Sequence, residues 1–104
     1  MNWEDKVKEL ESQNLSIRVE KNNIIIFESD QPRLKPLFTC YKKLGAEMEN
    51  ATVIDKVIGK AAAFICISGK VAQVFTPVAS QSAVDVLTES GIIIKARQII
   101  AQIF

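Results

Sequence analysis

One acid and two lysines open an apolar run, Asp55-Lys56-Val57-Ile58-Gly59-Lys60-Ala61-Ala62-Ala63, which continues into Phe64-Ile65-Cys66-Ile67. Ammonium groups attract anions, and a carboxylate beside them can orient an amine or accept from a hydroxyl. On a single helix Lys56 and Lys60, four residues apart, share a face. Val57, Ile58, Ala61, Ala62, Phe64 and Ile65 then cover most of the circumference, the pattern of a helix buried on more than one side. Gly59 costs about 1 kcal/mol relative to Ala inside a helix, so the position calls for close approach to a neighbour. Thr52-Val53-Ile54-Asp55 fits the Ser/Thr-x-x-acid start of a helix and puts Asp55 near the positive end of its dipole. Two readings follow: a core helix whose lysines snorkel to the rim, or an anion site lined by two lysines.

A second polar start lies downstream. Ser80-Gln81-Ser82 precedes the apolar positions Ala83, Val84 and Leu87. Either serine can cap a helix there, and Ser82-x-x-Asp85 repeats the capping pattern. The candidate ligand-binding set is therefore Asp55, Lys56, Gly59, Lys60, Ser80 and Ser82. No catalytic residue can be assigned.

Other residues set exclusions. The chain has no histidine, which removes Ser-His and Cys-His nucleophile pairs and the usual zinc ligands. Acid–base chemistry at neutral pH would need a shifted Lys, Asp, Glu or Cys. Neither a metal nor a cofactor is expected. Two cysteines do not make a disulfide scaffold. Cys66 reads as core, while Cys40, beside Tyr41, is expected to be partly exposed. The net charge of +1, from 13 basic and 12 acidic residues, gives no electrostatic footprint for nucleic acid. Arg18, Lys21 and Arg33 are too scattered to form one. Gly59-Lys60 is no phosphate-binding loop of the Walker kind: Ile54 stands at the earlier glycine position, and Ala61 where Ser or Thr would bind magnesium. The apolar runs fall short of the ~18 residues of a membrane helix, and no charged-then-apolar leader opens the chain. The expected location is the cytoplasm.

The 104 residues, 48% hydrophobic, suit one domain over residues 1–104. Trp3, Val7 and Leu10 give residues 3–13 a one-sided helical stripe. Leu15 to Glu20 alternates as a half-buried strand. Lys21-Asn22-Asn23 is a tight turn, since Asn tolerates positive φ. Ile24 to Phe27 completes an antiparallel hairpin, expected to be covered on both faces. Pro36 sits in the first turn of a helix carrying Leu37, Phe38, Tyr41 and Leu44, which Gly45 ends. The central helix comes next, ending near Ser68-Gly69. Val71 to Ala79 reads as a strand with Pro77 at an edge or bend. A helix stopped by Gly91 and a short buried strand Ile92-Ile93-Ile94 follow. Residues 98–104 read as a final apolar helix. The order is α-β-β-α-α-β-α-β-α, and its β-α-β units place helices on both sheet faces.

This order and these residues resemble a small uncharacterised prokaryotic family with a cytidine-deaminase-like fold. Asp55 to Ala63 reproduces its Asp-Lys-Val-Val-Gly-Lys-Ala-Ala-Ala signature with one Ile for Val. Ser80-x-x-Ala83, Leu87 and Gly91-Ile92 fit a weaker downstream pattern. Related sequences continue with an Asn-Arg pair and a terminal Cys-Pro-x-Glu that this sequence lacks, so no role is carried over for that cysteine. The resemblance implies an α/β fold of three α-β-α layers, with a mixed sheet and an N-terminal antiparallel hairpin. It does not imply deamination. Zinc deaminases carry His-x-Glu or Cys-x-Glu at one helix start and Pro-Cys-x-x-Cys at the next. Here Asp55-Lys56 and Ser80-Gln81-Ser82 stand at those places, and lysine and serine are not zinc ligands.

Two functions are therefore expected. In the first, two helix N-termini form a pocket for a phosphate- or nucleotide-like small anion, without zinc chemistry. In the second, the domain works by self-association, with a homodimer the commonest outcome, or by partner binding through Ile99-Ile100-Ala101-Gln102-Ile103-Phe104.

Overall fold

The structure, a computed structural model, describes residues 2–32 and 34–102. Arg33 and the tail residues Ile103 and Phe104 lie outside that set. Helix α1 (Trp3–Ser12) leads into the hairpin β1 (Ile17–Lys21) and β2 (Ile24–Ser29). Helix α2 (Lys35–Leu44) and a 3₁₀ turn follow, then β3 (Thr52–Asp55), α3 (Lys60–Ser68), β4 (Gln73–Ser80), α4 (Gln81–Glu89) and β5 (Ile93–Ile100). One sheet has the strand order β2-β1-β3-β4-β5. Strand β1 is antiparallel to β2 and β3, while β3, β4 and β5 run parallel. The sheet is mixed, as expected, and helices cover both of its faces.

Local chemistry explains the ends of the elements. Asn2 caps α1, accepting from the Asp5 N–H at 2.9 Å, and Glu4 and Asp5 sit in its first turn where the dipole favours acids. Asn22 and Asn23 take φ of 54° and 63° at the hairpin turn, the conformation Asn tolerates. Gly45 at φ 50° ends α2 and Gly91 at φ 79° follows α4.

The two sides of the sheet differ. Val7, Leu10, Ile54 and Phe75 make a small core beneath α1, with Trp3 and Leu15 at its rim. The larger core, on the side of α2, α3 and α4, includes Ile17, Val19, Val53, Val74, Leu37, Met48, Cys66, Ala83 and Leu87. Gly69 is confined there: an added Cβ would come within 3.3 Å of Met48.

Five expectations are corrected. Residues 52–55 form a strand, not a helix start; Thr52, Val53 and Ile54 are β-branched, and Val53 and Ile54 each bury on opposite sheet faces. Strand β2 lies at the edge, so Ile24 and Ile25 are 64% and 47% exposed rather than covered twice. Pro77 is in the interior strand β4, and the ladder to β5 passes over it, from the pair Thr76–Ala96 to the pair Val78–Gln98. Residues 98–100 continue β5 instead of starting a helix, because β4 offers a ladder over its full length. Cys40 is fully buried.

Candidate functional site

The apolar run beginning at Asp55 is divided between three structures. Asp55 ends β3. Lys56 and Val57 form an exposed link. Ile58 then rejoins the sheet in a parallel bridge to Ala79, its N–H donating to the Val78 carbonyl at 3.0 Å and its carbonyl accepting from the Ser80 N–H at 3.0 Å. Helix α3 begins only at Lys60, with Gly59 as its N-cap. Lys56 and Lys60 therefore do not share a helix face. The Thr-x-x-Asp pattern mimics a capping box, but Gly59 before Lys60-Ala61-Ala62-Ala63 was the truer start signal: a permitted cap followed by strong helix formers.

This bridge determines the geometry of the site. Ile58 directly precedes the N-cap of α3, and Ala79 directly precedes Ser80, the N-cap of α4. The two helices therefore start side by side, one strand spacing apart, on a ledge at the carboxyl ends of β3 and β4. Ala62, Ala63 and Ala83 are buried behind the ledge, and their small side chains allow α3 and α4 to pack closely.

The two starts differ in chemistry. Ser80 Oγ accepts from the Ala83 N–H at 3.2 Å and lies 3.3 Å from Ser82 Oγ. Gly59 offers α3 no side-chain cap, so the orphan N–H groups of the first turn face outward. Neither helix has an acid in its first turn. Instead α3 opens with Lys60, a cation at the positive end of a dipole. The Lys60 ammonium lies 5.9 Å from the centroid of the half-exposed Phe64 ring, a cation–π contact. Lys56 and Lys60 are both exposed.

Asp55 sits beneath the ledge, only 6% exposed. Its Oδ1 accepts from the Val57 N–H at 3.4 Å. Burial pushes the carboxyl up from 3.8 to about 7, against the weaker pull of the Val57 and Lys56 N–H groups. Cys66 on α3 is buried, and its thiol is pushed up by burial first and by the charge of Asp55 second. Burial also raises the Cys40 thiol to about 11. Burial thus disfavours the thiolate of both cysteines.

The structure thus brings Asp55, Gly59, Lys60, Ser80 and Ser82 to one end of the sheet, with Lys56 on the exposed link. The arrangement is a ledge at the carboxyl ends of β3 and β4. Two shallow concavities among the described residues lie elsewhere: about 250 Å³ between Glu20, Asn50 and Gln73, and about 280 Å³ between Tyr41 and Gly69. The donor set does not suit zinc. Among the described residues no group of His, Cys, Asp and Glu could hold a metal, and both thiols lie in the core.

Residues 5–104 match the family described as TM1506, a domain of unknown function (DUF1893). No curated protein matches. Among solved structures, the chain is similar to a DUF1893 family protein (TM1506) from Thermotoga maritima, with 29% identity and a TM-score of 0.86 over 97% of this chain and 67% of that one. It is also similar to RibD from Acinetobacter baumannii, with 16% identity and a TM-score of 0.65 over 90% of this chain and 33% of that one. A diaminohydroxyphosphoribosylaminopyrimidine deaminase/5-amino-6-(5-phosphoribosylamino)uracil reductase from Thermotoga maritima gives 16% identity and a TM-score of 0.63, over 90% and 35%. The chain spans about a third of each of these two longer proteins, and the likeness to them is one of fold.

Proposed function

The chain belongs to the DUF1893 family, whose fold is that of the deaminase-like domains, and for it we propose binding of a phosphate- or nucleotide-like small anion without zinc deaminase chemistry. The observation that carries this reading is the Ile58–Ala79 bridge, which sets an uncapped helix start directly beside a serine-capped one. Orphan N–H groups and two aligned dipoles favour negative charge. Lys60 adds a charge at a point where it opposes its own helix, a placement that an anion offsets. Lys56 supplies a second cation from the link, and Ser82 a hydroxyl.

Titration with inorganic phosphate, a nucleoside monophosphate and a nucleoside triphosphate, followed by calorimetry and thermal shift, tests the reading. Gly59→Asp supplies α3 with its own carboxylate and occupies the amides the anion needs. It should abolish anion binding while leaving the melting temperature equal or slightly higher, since a capping side chain stabilises a helix by a few tenths of a kcal/mol over Gly. Absence of binding by all three probes to the unaltered protein would sink the proposal.

A second reading rests on the sheet edges. Ile24 and Ile25 on β2, and Ile93 and Ile99 on β5, are each about half exposed or more. Apolar edges invite a partner or a second copy. Light scattering across a range of protein concentration separates these cases, and an invariant monomer removes self-association.

A further inference from the structure

The three helices on the larger-core side share one outer face, which nothing covers among the described residues. Helices α2, α3 and α4 join β2 to β3, β3 to β4 and β4 to β5, strands that all run parallel. The three helices therefore point the same way. Helix α3 packs against both of the others and lies between them. The buried positions of each helix fix which residues point outward. Leu37 and Cys40 are buried on α2, which turns Lys35 and Lys42 to solvent. Ala62, Ala63 and Cys66 do the same for Phe64 on α3, and Ala83 and Leu87 for Asp85 and Glu89 on α4.

The face is thus graded across its width: cationic along α2, apolar at its centre and anionic along α4. Helices α2 and α3 carry no acid, and α4 carries no base. Phe64 is 49% exposed in the middle. The four ion pairs among the described residues all lie on the α1 side of the sheet, so these charges have no such partner in their own chain. A second copy supplies one. A two-fold axis along α3 lays α3 on α3 and each α2 on the other copy's α4, opposing unlike charges twice. A two-fold axis across the helices lays α2 on α2 and sets each charge against itself. Lys42 is the eighth residue of α2 and Glu89 the ninth of α4, so the first orientation brings them to nearly the same height. Its one like-charged meeting is Lys60 with itself, at the ledge end, where both ammonium groups are exposed.

We propose that the outer face of α2, α3 and α4 is a self-association surface whose occupant is a second copy of this chain. Phe64 packs against its own copy on the axis, and Lys42 faces Glu89 on either side of it. Three helices of this length, about 10 Å apart, make a patch of roughly 15 by 30 Å. That is less than the ~800 Å² per partner of a standard stable interface, so the dimer is weak and reversible. The surface is separate from the sheet edges, and its pairing does not depend on what the ledge binds.

Sedimentation equilibrium from about 10 µM to 1 mM protein, at low and high salt, tests the proposal. The unaltered chain should show a monomer–dimer equilibrium that salt weakens. Lys42→Glu sets acid against acid and should weaken association about tenfold. Adding Glu89→Lys to it should restore the affinity. Both positions are exposed, so the fold should survive either change. The axis itself is read by cross-linking, since the two native thiols are buried. Under copper-catalysed air oxidation Phe64→Cys should give a disulfide-linked dimer, while Thr88→Cys, off the axis on α4, should not. A monomer at every concentration would overturn the proposal. So would a dimer that ignores Lys42→Glu and is not linked through Phe64→Cys, which would move self-association to the sheet edges.

Discussion

Arg18 and Asp55 are both buried charges next to the same strand pair, and they have opposite surroundings. Arg18, on β1, is 4% exposed and every arm of its guanidinium is engaged. Its Nε donates to Glu28 at 2.7 Å, one terminal nitrogen to Glu9 at 2.6 Å and the other to Gln13 at 2.8 Å. Burial lowers its pKa, and the bonds to Glu9 and Glu28 more than restore it, so the net shift is upward. Asp55, at the end of β3, is 6% exposed and is bonded to backbone N–H groups, with no ion-pair partner among the described residues. Its net shift is also upward, which for an acid means that the charge is disfavoured. A buried charge with a complete set of partners fixes structure; one without a counter-ion can change state.

Removing Arg18 tests the first half of this contrast most strongly. The side chain ties α1 to both strands of the hairpin, so Arg18→Ala loses a buried fork and leaves two carboxylates facing each other. The expected cost is about 3 kcal/mol, read as a drop in the denaturant midpoint. Arg18→Lys should recover only part of it, because an ammonium cannot serve three acceptors in a fork. A loss no larger than that of a surface residue would show that the network is ornamental.

Asp55→Asn tests the second half, with the opposite sign. Below about pH 4 the acid and the amide are both neutral, and their stabilities should agree. As pH rises through about 7, the unaltered protein must bury a charge, and the variant need not. The variant should therefore be more stable at pH 8 by about 2 kcal/mol, since local relaxation around the charge relieves part of the full shift. Urea midpoints measured from pH 4 to 8 would check this. A stability difference independent of pH would reduce Asp55 to an ordinary turn residue.

Sequence patterns revealed these two places to different degrees. Helix α1, the hairpin, α2 and α4 were legible because stripe, turn and cap agree there: Asn22-Asn23, Gly45, Ser80 and Gly91 do what their types favour. Strand β3 was not, because Thr52-Val53-Ile54-Asp55 satisfies a helix-start pattern as well as a strand. Only the burial of Val53 and Ile54 on opposite faces decides between them, and that is tertiary information. Of the candidate site, Asp55 ends a strand and Gly59 caps α3, where the sequence pattern had placed both on one helix. The bridging residue Ile58 was hidden within an apolar run. Arg18 left no usable trace: counting from the turn at Asn22-Asn23 sets it opposite Phe27, and the bulge between Val19 and Glu20 is what brings it opposite Glu28.

The ledge offers a smaller effect that links the contrast to binding. A neutral Asp55 tolerates an anion nearby, while a charged one repels it. Phosphate affinity should therefore decline as pH rises from 6 to 8 in the unaltered protein, after allowance for phosphate's own titration. Asp55→Asn should lessen that decline. Lys60→Ala should weaken binding about fivefold at every pH, the equivalent of roughly 1 kcal/mol. A pH profile in Asp55→Asn identical to that of the unaltered protein would show that the Asp55 carboxyl plays no part in binding.

The smallest effect is expected at a pair that looks in contact distance much like those of Arg18. Arg97 on β5 grips Glu11 on α1 with two bonds, at 3.0 and 3.2 Å, and the bond lowers the carboxylate pKa while raising that of the guanidinium. Both side chains are about 40% exposed. Water solvates each partner nearly as well when they part, and salt screens the attraction. Arg97→Ala should leave the denaturant midpoint unchanged within error at physiological salt, although the geometry is bidentate. Hydrogen-bond geometry is then similar at Arg18 and Arg97 while the consequence differs, and burial is the variable that remains. If Arg97→Ala proved as costly as Arg18→Ala, α1 would be clamped to the sheet from its solvent rim rather than from the buried guanidinium, and the contrast between paired interior charge and lone interior charge would lose its basis.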